Sequence, residues 1–149
     1  MRSIFQCVVD CSVGVMLCID DPLSPRADLL FAHLTARWPA VLHVPDLFYP
    51  ECLSVLRKHM LRHGYTSLSR DVDALSGLAL RVTPCADMIQ EAAAIMLSYG
   101  VSAYDAFYVA LAGRIGAPLI TADDRLVRAL AGSPYDVQSL ATCAIPPLP

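Results

Sequence analysis

Short apolar runs alternate with longer segments of helical period along this chain. Residues 3–9 are apolar, include several β-branched residues and Phe, and stop at Asp10, which predicts a buried strand. The same kind of run predicts four more strands, the last of them at a sheet edge, over residues 40–44, 78–82, 117–121 and 135–140.

Helices are predicted between these strands. Ser12 is expected to cap a short helix that reaches Cys18, and Pro22 to lie in the first turn of a helix that Pro39 stops. Ser102 starts a central apolar helix. The remaining helices are predicted over residues 45–63, 67–77, 84–99 and 123–131.

Strands that alternate with helices of this length favour parallel pairing, hence a three-layer α/β/α sandwich. We expect one domain over residues 1–142, followed by a Pro-rich tail over residues 143–149 that forms an ordered arm or a frayed end. With 149 residues and 56% hydrophobic content, the chain is long enough for one sizeable core.

Composition narrows the compartment and the partners. The six cysteines show no zinc spacing and are expected to be reduced core residues, which favours the cytoplasm. Asp10 interrupts the N-terminal apolar run, and no run reaches the roughly 18 residues of a membrane span, so we expect a soluble protein. The net charge of −3 means that any nucleic-acid contact must come from a local basic patch.

Acidic residues stand where strands end and helices begin. Asp105 and Asp123 lie at helix starts, where capping explains each of them adequately, and Asp124 is expected to have only a capping role. Asp10 ends a strand, and Glu51 lies on the apolar side of its helix. A hydrogen-bonded buried acid is the alternative for these two.

Taken together, four acids at one sheet edge would repel each other unless a cation neutralised them. Oxygen ligands without His or Cys favour Mg²⁺ or Mn²⁺, and such an ion supports phosphodiester hydrolysis.

The apolar face expected on the helix that carries Glu51 consists of Leu47, Phe48, Cys52, Val55 and Leu56.

Basic residues follow two of these acids. Their side chains could contact the phosphates of a nucleic acid, or instead form a solvated helix face or a contact with another protein chain. These residues are Arg57, Lys58 and Arg62 after Glu51, and Arg125 and Arg128 after Asp123.

Four segments carry the candidate acids, and they are V-V-D-C-S-V at 8–13, P-D-L-F-Y-P-E at 45–51, V-S-A-Y-D-A-F-Y-V-A-L-A at 101–112 and P-L-I-T-A-D at 118–123. In order and spacing they resemble the signatures of PIN-domain ribonucleases, especially VapC-type toxins. The resemblance implies a five-stranded parallel sheet, an acidic pocket for Mg²⁺ or Mn²⁺, and cleavage of RNA. It also implies a small antitoxin partner and a homodimer.

The resemblance also assigns roles to individual residues. Asp10 and Asp105 are expected to hold the principal metal, while Glu51 and Asp123 complete the pocket and orient water. Two hydroxyl residues, Ser12 and Thr121, match the supporting polar positions of the family.

The chain departs from the family at two places. Ser54 stands where many relatives carry Asn, and the segment 14–19 lacks a Lys-Trp pair often found there, which concerns substrate contacts more than the metal site. The competing functions are a PIN nuclease that matures RNA or cuts DNA, and a non-catalytic PIN module. A phosphoacceptor receiver needs a Lys at a late strand end, whereas Lys58, the one lysine, is in mid-helix.

Overall fold

One parallel sheet of five short strands organises the molecule. The structure is a computed structural model that describes residues 4–149, so Ser3 of the first predicted strand lies outside it. The strand order is β3-β2-β1-β4-β5, and each neighbouring pair is parallel. The strands are β1 (Gln6–Val9), β2 (Val41–Pro45), β3 (Arg81–Thr83), β4 (Leu119–Thr121) and β5 (Val137–Ser139).

Helices complete a three-layer α/β/α sandwich, which confirms the predicted fold class. The longest, α3, ends at Gly64, as the sequence predicts. Short 3-10 turns extend or precede three helices, at Val15–Leu17, His33–Thr35 and Cys85–Met88. The helices are α1 (Cys11–Gly14), α2 (Ser24–Ala32), α3 (Phe48–His63), α4 (Ser69–Ser76), α5 (Ile89–Tyr99), α6 (Ala103–Ile115) and α7 (Asp124–Ala129).

The central strand β1 lies at the middle of the core. Cys7, Val8 and Val9 are fully buried because β2 and β4 flank the strand and helices cover the sheet, while Gln6 is exposed. In a parallel sheet the carboxyl ends of the strands share one edge. Asp10 directly follows β1, so it lies at that edge beside the end of β4.

Several predicted helix starts are wrong by a few residues, and tertiary contacts explain two of them. Pro45 belongs to β2, and the backbone N–H of Asp46 donates to Thr83 O, so α3 starts only at Phe48. Ser12 does not cap α1, because Asp10 is the N-cap residue and the Ser12 hydroxyl has other partners. The helix predicted from Pro22 begins at Ser24, with a proline in its first turn.

The predicted apolar face of α3 is only partly buried. Phe48, Cys52 and Leu56 are buried as expected, whereas Val55 is 39% exposed. Val55 and Glu51 are four residues apart and therefore share a stripe at the border of the core. Glu51 is accordingly half-buried.

The C-terminal tail packs against α2. The Arg26 guanidinium donates to the carbonyl oxygens of Leu140 and Cys143, and a ring nitrogen of His33 lies 2.8 Å from Pro146 O. Cys143 is buried, so the start of the predicted tail belongs to the packed structure. Among the described residues all six cysteines are free thiols.

Candidate functional site

Two hydroxyl groups hold the Asp10 carboxylate. Asp10 is only 6% exposed, and its Oδ2 accepts hydrogen bonds from Thr121 Oγ1 at 2.7 Å and Ser12 Oγ at 2.9 Å. Burial raises the pKa of Asp10, and both hydrogen bonds oppose that rise because they stabilise the charged form. Ser12 therefore supports Asp10 instead of capping α1.

The same hydroxyls connect Asp10 to Asp123. Thr121 Oγ1 accepts from the backbone N–H of Asp123 at 3.0 Å, and Ser12 Oγ accepts from that of Ala122 at 3.0 Å. Asp123 also caps α7, since its Oδ1 accepts from Arg125 N–H at 2.9 Å. The predicted capping role of Asp123 is confirmed, and the cap fixes this acid near Asp10.

Asp105 lies at the start of α6, where Ser102 is the N-cap. The Ser102 hydroxyl accepts from Asp105 N–H at 3.1 Å, which confirms the predicted helix start. Within the described chain, no reciprocal bond runs from the Asp105 carboxylate to the Ser102 backbone, so the capping box is only half formed. The Asp105 carboxylate is therefore available for another role.

Glu51 is the acid with an unpartnered buried oxygen. Two buried side-chain oxygens lack a hydrogen-bond partner among residues 4–149, and they are Glu51 Oε1 and the Tyr108 hydroxyl. Burial raises the pKa of Glu51 to about 7. The Tyr108 hydroxyl opposes this rise although it lies outside hydrogen-bonding geometry, while the charges of Asp10 and Asp105 add to it.

The four acids are electrostatic neighbours. Asp105 raises the pKa of Asp10 and of Glu51, and Asp123 in turn adds to the burial that raises the pKa of Asp105. Gly14 allows α1 to approach α3, because a Cβ there would lie 2.6 Å from the Phe48 ring.

The acids do not by themselves enclose a metal site. Within the described range, no three metal-binding side chains are close enough together to form a closed ligand cage.

The basic candidates divide by helix face. Lys58 and Arg62 follow Glu51 at i+7 and i+11, within about 20° of its stripe, whereas Arg57 lies about 120° around α3. On α7, Arg125 Nε is 3.6 Å from Asp123 Oδ1, and Arg125 and Arg128 are both exposed. Lys58 and Arg62 are therefore better placed than Arg57 to continue a path from the acids.

Tyr108 is the site residue that the sequence did not reveal. It is fully buried on α6, three residues after Asp105, so both side chains lie on the same side of the helix. A Tyr within an apolar helix is typical of a core residue. Its position three residues after a candidate acid was the available signal.

Comparison with known proteins agrees with this fold. Residues 7–132 match the family described as PIN domain, and the chain belongs to that family. It is 34% identical over 127 residues to Ribonuclease VapC3 of Pyrobaculum aerophilum, across 80% of this chain and 90% of the relative. The predicted resemblance to VapC-type PIN domains is thereby confirmed.

Solved structures share the fold at lower identity. PAE2754 from Pyrobaculum aerophilum matches with a TM-score of 0.68 and 20% identity, over 92% of this chain and 85% of that one. A toxin–antitoxin complex from Klebsiella pneumoniae matches with a TM-score of 0.63 and 18% identity, over 90% and 97% of the two chains. The chain thus shares its overall backbone fold with these solved structures.

The described part of the chain contains no single helix long and apolar enough to cross a membrane. The sharply bent pair Cys85–Tyr99 and Ala103–Ile115 passes that test only when the two helices are counted together.

Proposed function

We propose that this protein is an endoribonuclease that hydrolyses RNA phosphodiester bonds with bound Mg²⁺ or Mn²⁺. The observation that carries the proposal is the convergence of Asp10, Glu51 and Asp105 at the carboxyl edge of the sheet, where the charge of Asp105 raises the pKa of both Asp10 and Glu51. A divalent cation would remove this repulsion, and an all-oxygen donor set suits Mg²⁺ or Mn²⁺.

The residues present fit such an ion. Glu51 Oε1 is buried without a partner, as expected for an oxygen that serves as a ligand. Asp10 and Asp105 would hold the principal metal, and Glu51 and Asp123 would complete the pocket. Since the described acids do not already form a closed cage, binding requires side-chain rotation, which the partial exposure of Asp105 permits.

Each protein group then has a chemical task. A bound divalent ion would polarise the phosphoryl group and lower the pKa of a water molecule. Thr121 and Ser12 keep the Asp10 carboxylate in one orientation through their hydrogen bonds to Oδ2. Glu51 and Asp123 would orient the attacking water, while Arg125 would contribute positive charge beside Asp123.

We further propose that the nuclease is the toxin of a toxin–antitoxin pair, works in the cytoplasm and forms a homodimer. The similarity to Ribonuclease VapC3 and to a toxin–antitoxin complex supports the toxin part of this proposal. A small antitoxin protein is the expected partner. Expression of the wild-type protein should arrest growth, and Asp10→Asn should abolish the arrest.

The test of the activity is cleavage of single-stranded RNA by purified protein with Mg²⁺, with Mn²⁺ and with EDTA. We expect cleavage with either ion and none with EDTA. Cleavage that persists in EDTA would contradict metal dependence. RNA or antitoxin binding without any cleavage in Mn²⁺ would instead identify a non-catalytic PIN module.

A further inference from the structure

Three aromatic rings form a cluster at the end of α3. The ring centroids of His59 and His63 are 4.3 Å apart, and Tyr65 lies 6.0 Å from His59 and 6.2 Å from His63. The planes of His63 and Tyr65 differ by 27°, so these two rings are nearly stacked. We call these three residues the ring cluster.

The backbone explains why Tyr65 returns to the helix. Gly64 adopts a left-handed conformation with φ of 72°, which ends α3 and reverses the chain. The N–H groups of Gly64 and Tyr65 both donate to Met60 O, the latter at 3.0 Å. This helix ending brings the residue after the glycine back against the last turn, where the two histidines lie.

His63 and Tyr65 are exposed and His59 is half-buried, and the ring cluster borders an open cleft of about 680 Å³. Tyr65 is 60% exposed, and both Tyr65 and His59 line the cleft. Rings at the protein surface bury little apolar area within the protein. The ring cluster therefore contributes less to stability than a core cluster would, and it offers aromatic faces to a ligand.

Positive charge surrounds the rings on the α3 side. Lys58 and Arg62 lie on the neighbouring stripe of α3, and Arg70 lines the cleft. None of the three forms an ion pair with an acid among residues 4–149. Asp20 and Asp71 line the cleft together with Arg70, which lies on α4. The positive charge near the rings therefore comes from Lys58 and Arg62 on α3, outside the lining of the cleft.

The helix α3 connects the ring cluster to the acids. His59 lies eight residues beyond Glu51, about 12 Å along the helix axis. We propose that the ring cluster stacks an unpaired base of the RNA substrate, a few nucleotides away from the bond that is cut. This proposal rests on the ribonuclease activity proposed above. Cationic side chains beside stacked rings are the combination that binds single-stranded nucleic acid.

The first test measures binding of a fluorescent single-stranded RNA oligonucleotide to Asp10→Asn, which blocks cleavage. Adding both His59→Ala and Tyr65→Ala to this protein gives the ring-cluster variant. Its RNA binding should be about 5- to 150-fold weaker, since each stacked base contributes in that range. Adding Tyr65→Phe alone should leave binding nearly unchanged because the ring remains.

Trp38→Ala is the matched control. Trp38 is also an exposed ring, 62% accessible with the Arg37 guanidinium carbon 5.6 Å from its centroid. It precedes the start of β2 and does not line the cleft beside the ring cluster. We expect no loss of RNA binding. Equal losses for Trp38→Ala and for the ring-cluster variant would overturn the proposal.

The second test scans the RNA with single abasic nucleotides. Wild-type cleavage should slow when the missing base is a few nucleotides from the cut, and the ring-cluster variant should no longer sense that position. If cleavage and binding are identical in the ring-cluster variant and the wild type, the base-stacking role is overturned but the nuclease activity still stands.

Two other outcomes have different meanings. Normal RNA binding with weakened antitoxin binding would reassign the rings to the antitoxin. Absence of cleavage in Mn²⁺ would instead count against the nuclease, and the binding assay would still judge the ring cluster.

Discussion

The Thr121 hydroxyl donates to Asp10 Oδ2 across 2.7 Å, although the two residues are 111 positions apart in the chain. Thr121 Oγ1 also accepts a hydrogen bond from the backbone N–H of Asp123 at 3.0 Å. A single buried hydroxyl thus sets the positions of two acids that come from different strand ends. Thr121 acts on the site through these acids, as a positioning residue.

Thr121→Val should lower the apparent affinity for Mn²⁺ in RNA cleavage by about 10- to 100-fold, the usual effect of losing a residue that orients a metal ligand. Valine keeps the shape of threonine but cannot donate to Asp10. The measurement is the Mn²⁺ dependence of the initial cleavage rate. Thr121→Ser should recover most of the affinity, and Thr35→Val, at an exposed position of a 3-10 turn, should have no effect. Equal Mn²⁺ affinity for Thr121→Val and wild type would contradict this role.

Tyr108→Phe separates a functional hydroxyl from a structural one. The Tyr108 hydroxyl makes no hydrogen bond among the described residues, so its removal should change the free energy of unfolding by less than about 1 kcal/mol. Because it opposes the rise in the Glu51 pKa, its loss should still weaken Mn²⁺ binding, measured by calorimetry.

Tyr104→Phe is the control for this change, since Tyr104 lies on the same helix and is 62% exposed. It should alter neither stability nor Mn²⁺ binding. A large loss of stability in Tyr108→Phe with unchanged Mn²⁺ binding would assign the hydroxyl to the core.

Stability without metal should fall as the pH rises. Burial raises the pKa of Glu51 from 4.5 to about 7. Between these pH values the Glu51 carboxyl is ionised in the unfolded chain but still protonated in the folded protein, so a rise in pH favours the unfolded chain. The wild-type protein in EDTA should therefore lose more stability from pH 4.5 to pH 8 than Glu51→Gln, which cannot ionise. Thermal unfolding of both proteins across this range measures the difference, and parallel curves would refute it.

Arg26→Ala should destabilise the protein by about 1–3 kcal/mol, because the carbonyl oxygens of Leu140 and Cys143 lose a charged donor. Urea denaturation measures this loss. Arg37→Ala is the control. It removes an exposed guanidinium whose one recorded side-chain contact among residues 4–149 is the Trp38 ring, so it should lower the free energy of unfolding by less than about 1 kcal/mol. Unchanged stability in Arg26→Ala would show that the tail is not held by this residue.

Sequence patterns predicted the elements well, because apolar runs and helical periods are local properties. The five strands, their parallel pairing and the edge position of β5 all agree with the structure. The Ser102 cap and the Gly64 stop were also predictable, since each depends on neighbouring residues. The errors arose where a distant partner changes a local preference.

Ser12 illustrates such an error. A serine before a short helix usually caps it, yet this hydroxyl binds Asp10 and the N–H of Ala122, which is 110 positions away. The start of α3 moved for a related reason, because Asp46 N–H pairs with the end of β3. No pattern within one segment contains that information.

The acids themselves were predictable from their places at strand ends and helix starts, but their surroundings were not. Tyr108 looked like an ordinary core residue, and only the packing of α6 near Glu51 shows that its hydroxyl belongs beside an acid. The different helix faces of Arg57 and Lys58 likewise became informative once the bounds of α3 were known.

The most direct test of the central claim compares Asp123→Asn with Asp124→Asn in Mn²⁺-dependent RNA cleavage, with Asp10→Asn and Asp105→Asn as further site variants. Asp123 and Asp124 are adjacent, but Asp124 is exposed and its carboxylate accepts a hydrogen bond from Ser139 Oγ. We predict strong loss of cleavage in the three site variants and wild-type cleavage in Asp124→Asn. Full activity of Asp10→Asn and Asp105→Asn would contradict the account.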